Sequence, residues 1–326
     1  MEKKPTIHWA GEALDPQPPI PWIVEGVFSE GSLSVVFGEP GSKKTFSMID
    51  ATVCVTMGKQ WLNFNVHKVP GLIVDEESGK RRLFERIGAS MRAHGAKKGL
   101  PLGFVTLEGF DLSKFADIQK LRRLVHQTKA KIILLDAFTD FSHGDENSVK
   151  DTQPVLSSLR SIAEETQSAI VVIHHSGKSG GYRGSSSIMG GVDLMLHIQS
   201  KPDSPNVDFT SKKARDVEPF SFAAIANFGE VSFHLSPSIK KEKMAKLSKT
   251  EEQVLAVIEE RGDVKINEIK AIKRELSRAS ISKAVNSLAK RNIVERIDGG
   301  GKGTEATYGL ASFNFKEAFD EFENMG

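Results

Sequence analysis

From Ser32 to about Gln199, short β-branched apolar runs alternate with longer amphipathic stretches: "SLSVVF", "GLIVDE", "GFVTLE", "KIILLDA", "AIVVIHH" and "VDLMLHIQ". Runs apolar at nearly every position are buried on both faces. They predict mainly parallel strands joined by crossover helices, an α/β fold. "VDFTSKKARD" and "EVSFHLS" read as strands that extend the same sheet, with "KPDSPN" as a turn. The rhythm then stops at the charged stretch "SPSIKKEKMAKLSK", where a linker belongs.

Beyond it the period changes from two to three and four. "TEEQVLAVIEERG" predicts a helix with a Thr cap ending near Gly262, and "INEIKAIKREL" and "SRASISKAVNSLAKRN" predict two more, the last opening on Ser277. "IVERIDGGGKGTEATYGL" reads as a hairpin with a glycine-rich tip. Three helices and a two-stranded wing are the order of a winged helix-turn-helix domain. The expected division is an extended arm over 1–21, an α/β domain over 22–238, a linker over 239–249, a winged-helix domain over 250–312 and an acidic tail over 313–326.

Composition narrows this picture. A 39% hydrophobic and 26% charged chain is an ordinary globular sequence, and no apolar segment approaches the roughly 20 residues needed to cross a bilayer. No hydrophobic export core opens the sequence, and the single cysteine, Cys54, has no internal disulfide partner. A cytoplasmic protein without membrane contact is expected. No Cys/His spacing suggests zinc, and Cys54 in its apolar helix reads as core. The net charge of +2 hides a local surplus: residues 239–310 hold 16 Lys plus Arg against 11 Asp plus Glu. A basic tail domain on a neutral body points to a polyanion.

The chemistry lies where "SLSVVF" leads through "GEPGSKKT" into "FSMIDATVCVTMG". A glycine loop between strand and helix presents backbone N–H groups to phosphates, as in G-x-x-x-x-G-K-[ST]. Gly38, Glu39, Pro40, Gly41, Ser42, Lys43, Lys44, Thr45 and Phe46 are thus the candidate nucleotide contacts. Lys43 stands where the second glycine is expected. The cradle survives that change if φ at Lys43 is negative and its side chain points outward; turned inward, the side chain would add a second positive charge.

Lys44 would reach the terminal phosphates and Thr45 would supply a hydroxyl to Mg²⁺, joined by Asp136 at the end of "IILLD". Glu77 or Glu76, closing "GLIVDEE", would orient the attacking water. ATP and Mg²⁺ are the implied cofactors.

The series "GEPGSKKTF", "LIVDEESGKRRLFERI", "IILLDAFTDFSHGDENS", "VVIHHSGKSGGYRGSSSIMGGVDLML" and "SKKARD" resembles the RecA-fold ATPases of the RepA type, the hexameric plasmid helicases, and more distantly the DnaB replicative helicases. The resemblance implies a RecA-like P-loop ATPase core in a homo-oligomeric, hexameric ring with ATP between subunits. It implies Lys44 and Thr45 as Walker A groups, Asp136 as Walker B, Glu77 as the better match to the catalytic glutamate with Glu76 still a candidate, and His175 as γ-phosphate sensor. Lys213 and Arg215 resemble a pair that reaches the neighbouring subunit's site.

For DNA, Lys178 and Arg183 in "GKSGGYRGSSS" suit a phosphate-tracking loop. Arg278, Ser280, Ser282, Lys283 and Asn286 would line the outer face of the recognition helix, with Ile281, Val285 and Leu288 inward, and Lys302 would sit at the wing tip. The function expected is an ATP-hydrolysing, DNA-associated ring motor, a helicase or translocase in replication of a plasmid, phage or mobile element. The alternatives are an ATP-responsive DNA-binding regulator and a RecA-type recombination or loading accessory.

Overall fold

The computed structural model describes residues 9–16, 18–142, 144–176, 186–238, 247–291, 293–297 and 306–311. A short 3₁₀ turn, Ala10–Leu14, leads to the small antiparallel pair β1 (Trp22–Val24) and β2 (Phe28–Ser29). The main sheet follows: β3 (Leu33–Gly38), β4 (Gly71–Asp75), β5 (Leu102–Thr106), β6 (Ile132–Asp136), β7 (Ala169–His175), β8 (Leu194–Gln199), β9 (Asn206–Ala214), β10 (Ser221–Phe228) and β11 (Phe233–Ser238). Its nine strands lie in the order β11-β10-β9-β8-β3-β7-β6-β4-β5. The strands from β8 to β5 are parallel, and β9 to β11 run antiparallel along one side.

The alternation within each apolar run decides which face a side chain serves. Val36, Ile73, Leu134 and Val171 pack against α1 (Lys44–Met57) and α2 (Lys80–His94) through Met48, Ile49, Leu83 and Ile87. Val35, Leu72, Ile133 and Val172 face the opposite layer, where α3 (Phe115–Thr128) contributes Leu121 and Val125, and α5 (Val149–Thr166) contributes Val155 and Leu159. Two short helices, α4 (Phe138–Phe141) and α6 (Ser186–Gly191), complete this part. The six expected runs are all strands, and the "KPDSPN" turn joins β8 to β9.

Strand β10 was not anticipated. Its inward positions include Ala224 and Ala226, residues that favour strands weakly, although the burial alternation is clean. The pair β1–β2 was also missed, since two or three residues leave no readable period.

After the main sheet, α7 (Lys249–Arg261), α8 (Ile266–Ile272) and α9 (Arg278–Lys290) combine with β12 (Val264–Lys265), β13 (Val294–Arg296) and β14 (Thr307–Leu310) around a separate core of Val254, Leu255, Ile258, Ile269, Ile281, Val285, Leu288 and Val294. The sheet order is β12-β14-β13, so the expected hairpin, the antiparallel pair β13–β14, is joined by a third short strand. The cap of α7 is Ser248 rather than Thr250: its Oγ accepts from Glu251 N, while the Glu251 carboxylate accepts from Ser248 N at 2.6 Å. This reciprocal box satisfies two amides at once and moves the helix start two residues earlier. Ser277 does cap α9, accepting from Ser280 N. No helix among the described residues is long and apolar enough to cross a membrane.

Candidate nucleotide site

Four neighbouring strands, β3, β7, β6 and β4, end side by side and deliver the loop 39–43, His175, Asp136 and Glu76–Glu77 to one edge of the sheet. Ligands of open α/β sheets bind at this carboxyl edge. Gly38 is required by packing: a Cβ there would meet Ile198 O of β8 at 2.2 Å. Gly41 turns the loop at φ +78°, and Ser42 N closes it on Glu39 O.

Lys43 has φ +66°, the left-handed conformation that the missing glycine would adopt freely. Its side chain points neither at the loop centre nor into solvent. The Nζ donates to Ser200 Oγ and to Lys201 O, both at 2.8 Å. Two hydrogen bonds to the β8–β9 turn thus offset a conformational cost of about 1–2 kcal/mol. The backbone path of the loop is that of the glycine version, reached by another residue.

From Lys44 the chain is helical, and no side chain caps its N-terminus, which leaves the first N–H groups facing the loop. Lys44 Nζ donates to Gly38 O and Glu39 O, each at 2.9 Å, and burial lowers its pKa against the opposing effects of Asp136 and Glu77. Thr45 Oγ1 donates to Asp136 Oδ2 at 2.7 Å. Asp136 is buried, its Oδ1 has no hydrogen-bond partner among the described residues, and burial pushes its carboxyl up to about 7 despite the Thr45 bond. A buried carboxylate with an open oxygen beside a hydroxyl is an all-oxygen donor set that suits Mg²⁺.

The two glutamates separate by geometry. Glu76 accepts the N–H groups of Glu108 and Gly109, both at 3.0 Å, and so braces the turn after β5. Glu77 instead faces His175, with Oε2 3.7 Å from Nε2, and that imidazole holds its carboxyl below the ordinary glutamate range. Asp75, fully buried, accepts the N–H groups of Glu77 and Ser78 and so shapes the turn that carries Glu77.

Arg86 of α2 also belongs here and was not anticipated. Its guanidinium donates to Ser78 Oγ at 2.7 Å, stands 5.3 Å from the Phe46 ring centroid, and acts electrostatically on both Glu77 and Asp136. The signal available was its place on the helix face of Leu83 and Ile87, where a polar residue borders the apolar stripe.

Lys213 and Arg215 lie elsewhere. Lys213 Nζ donates to Met189 O and Gly190 O, and Arg215 donates to Gly190 O and Asp193 Oδ1. Arg215 N bonds to Asp193 O, level with Leu33 at the start of β3, and so sits about 16 Å along the strand direction from Gly38 at about 3.3 Å per residue. Within one chain the pair does not reach the loop.

In the last helix, Arg278, Lys283 and Asn286 are exposed and Ser280 and Ser282 half-buried, opposite Ile281, Val285 and Leu288. Lys178, Arg183 and Lys302 lie outside the described residues.

An AAA-domain family model matches residues 2–181. No curated protein matches the chain. Among solved structures, a RadB recombinase is similar at a TM-score of 0.47 and 17% identity, over 61% of this chain and 89% of that one. Because the family model covers more than half of the sequence, the chain belongs to the AAA-domain family.

Proposed function

We propose that the protein is an Mg²⁺- and ATP-dependent motor on DNA, a ring-forming helicase or translocase of the RepA/DnaB kind serving replication of a plasmid, phage or mobile element. The observation that carries its ATPase part is the 2.7 Å bond between Thr45 and Asp136 beside the loop of Lys43 and Lys44.

In this reading the loop amides and the first turn of α1 bind the phosphates, and Lys44 leaves the Gly38 and Glu39 carbonyls to meet them. Thr45 and Asp136 hold Mg²⁺, which when bound neutralises phosphate charge and polarises the oxygens. Glu77, kept ionised by His175, accepts a proton from and orients the attacking water. His175 lies between Glu77 and the loop, placed to respond to the terminal phosphate. Arg86 stabilises the ionised carboxylates from the side.

Lys213 and Arg215 serve a second copy of the chain. Their distance from their own loop favours action in trans, with Arg215 offsetting transition-state charge on the neighbour's nucleotide. The helical tail unit acts as a winged helix on duplex DNA through Arg278, Ser280, Ser282, Lys283, Asn286 and Lys302, and Lys178 and Arg183 track single-stranded DNA inside a hexamer.

The test is the ATPase rate with and without single-stranded DNA, together with native mass in ATP. Stimulation by DNA, a closed hexamer and loss of turnover in Arg215→Ala are the expected results. Normal turnover in Arg215→Ala would remove the trans role. Filaments in electron micrographs would favour a recombination or loading ATPase built on the same site.

A further inference from the structure

A second cluster of chemically capable groups lies away from the nucleotide, where α1 packs against the end of α2. Asp50 and Cys54 are one helical turn apart on α1, and His94 is the last residue of α2. One donor atom from each falls within 4.8 Å of the others. His94 Nε2 is 2.8 Å from Asp50 Oδ1 and 3.4 Å from Cys54 Sγ. We infer that Asp50, Cys54 and His94 form a site for a zinc-class divalent cation, stapling the P-loop helix to α2.

Three observations favour a cation over a catalytic relay. The shorter of the two Sγ contacts of His94, 3.4 Å against 4.0 Å to Nδ1, runs through the same Nε2 that meets Asp50, so one ring nitrogen faces both of the other donors. Zinc bonds of about 2.0–2.3 Å in tetrahedral geometry place nitrogen and sulfur donors about 3.6 Å apart and nitrogen and oxygen donors about 3.3 Å apart; the 3.4 Å nitrogen–sulfur separation found is close to this, and the 2.8 Å nitrogen–oxygen separation would open by about half an ångström on binding. Charge also balances: an aspartate, a thiolate and a divalent cation with neutral imidazole sum to zero, which a buried site requires. Asp50 and Cys54 are almost fully buried, whereas the His94 side chain is 17% exposed and gives access.

Binding would release the Cys54 thiol proton and shift the proton of the neutral His94 ring from Nε2 to Nδ1, which leaves Nε2 free as the ligand atom. Burial and the neighbouring Asp50 charge push the thiol pKa up, so the cation must supply the drive for thiolate formation. Asp50 is already oriented by Ser90 Oγ at 3.0 Å and by Leu235 N at 3.3 Å, the outer bonds that hold a metal carboxylate in place. A water would fill the remaining coordination position; the ring of His234 of β11, 6.1 Å from that of His94, lies outside the cluster of donor atoms. The linear sequence conceals this site because His94 lies 40 residues beyond Cys54, far from any zinc-motif spacing.

The full chain, freed of metal and titrated with Co²⁺ and Zn²⁺, provides the test. Because Cys54 is the only cysteine, a thiolate-to-cobalt charge-transfer band reports this site alone. One cation per chain, the band in wild type, its loss in Cys54→Ser, and affinity about tenfold or more weaker in His94→Gln are expected. Zn²⁺ should also protect the wild-type Cys54 thiol from alkylation, a measurement that needs no variant to fold. Absence of stoichiometric binding, binding unchanged in both variants, or alkylation unaffected by Zn²⁺ would overturn the assignment.

Discussion

Thr45 donates its hydroxyl to Asp136 across 2.7 Å, tying the first turn of the P-loop helix to the end of β6. Each residue is the other's support: the bond orients a buried carboxylate that otherwise has an open oxygen, and it fixes the hydroxyl at the mouth of the loop. Thr45→Ser keeps the donor and should keep Mg²⁺-dependent turnover within a few-fold. Thr45→Val removes it beside a buried acid and should abolish that turnover, with ATP hydrolysis as a function of Mg²⁺ concentration as the readout.

Glu76 and Glu77 are adjacent in sequence and distinct in their contacts. Glu77→Gln should bind ATP normally yet turn over about 10²-fold or more slowly, as expected when a general base is lost. Glu76→Ala should leave kcat near wild type and reduce stability by about 1 kcal/mol, because two amides of the turn after β5 lose their acceptor. Single-turnover kinetics and thermal melts separate the two outcomes.

Lys43 tests the loop's backbone. Lys43→Gly and Lys43→Ala both lose the bonds to Ser200 and Lys201, but only alanine retains the cost of φ +66°. The alanine variant should therefore be less stable than the glycine variant by about 1 kcal/mol, a melting difference of about 2–4 °C for a domain of this size. Both should still bind ATP, since Lys44 and Thr45 stay in register.

Much of this site was legible in the sequence. The near-continuous apolar runs announced the buried parallel strands, and their polar C-terminal residues fell at one edge because parallel strands all end on the same side. The conformation of Lys43 was not legible, since it is held by Ser200 and Lys201 of the distant β8–β9 turn. The residues alone left Glu76 and Glu77 open and only the resemblance preferred Glu77; what engages Glu76, the turn after β5, was not readable from the sequence. Arg86 and the Asp50–Cys54–His94 cluster were hidden for the same reason: helix packing, rather than spacing along the chain, brings them together.

Acid should loosen the tail unit through Glu251. Hydrogen bonds from Ser287 and Ser248 lead the effects that hold its carboxyl below the ordinary range, with Arg291 Nη1 3.7 Å away. A glutamate with a lowered folded-state pKa contributes stability that is complete above its unfolded value, about 4.3, and is lost as pH falls through the folded value. Melting of the tail unit should thus drop below about pH 4 in wild type, and Glu251→Gln should lower it at neutral pH while flattening that dependence.

The central claim is that this loop hydrolyses ATP although a lysine replaces its second glycine. Steady-state ATP hydrolysis with Mg²⁺, measured for wild type and Lys44→Ala side by side, tests it most directly. Magnesium-dependent turnover that falls by about 10²-fold or more in Lys44→Ala is the expected result. A wild-type protein without turnover, with or without DNA, or a Lys44→Ala rate equal to wild type, would contradict it.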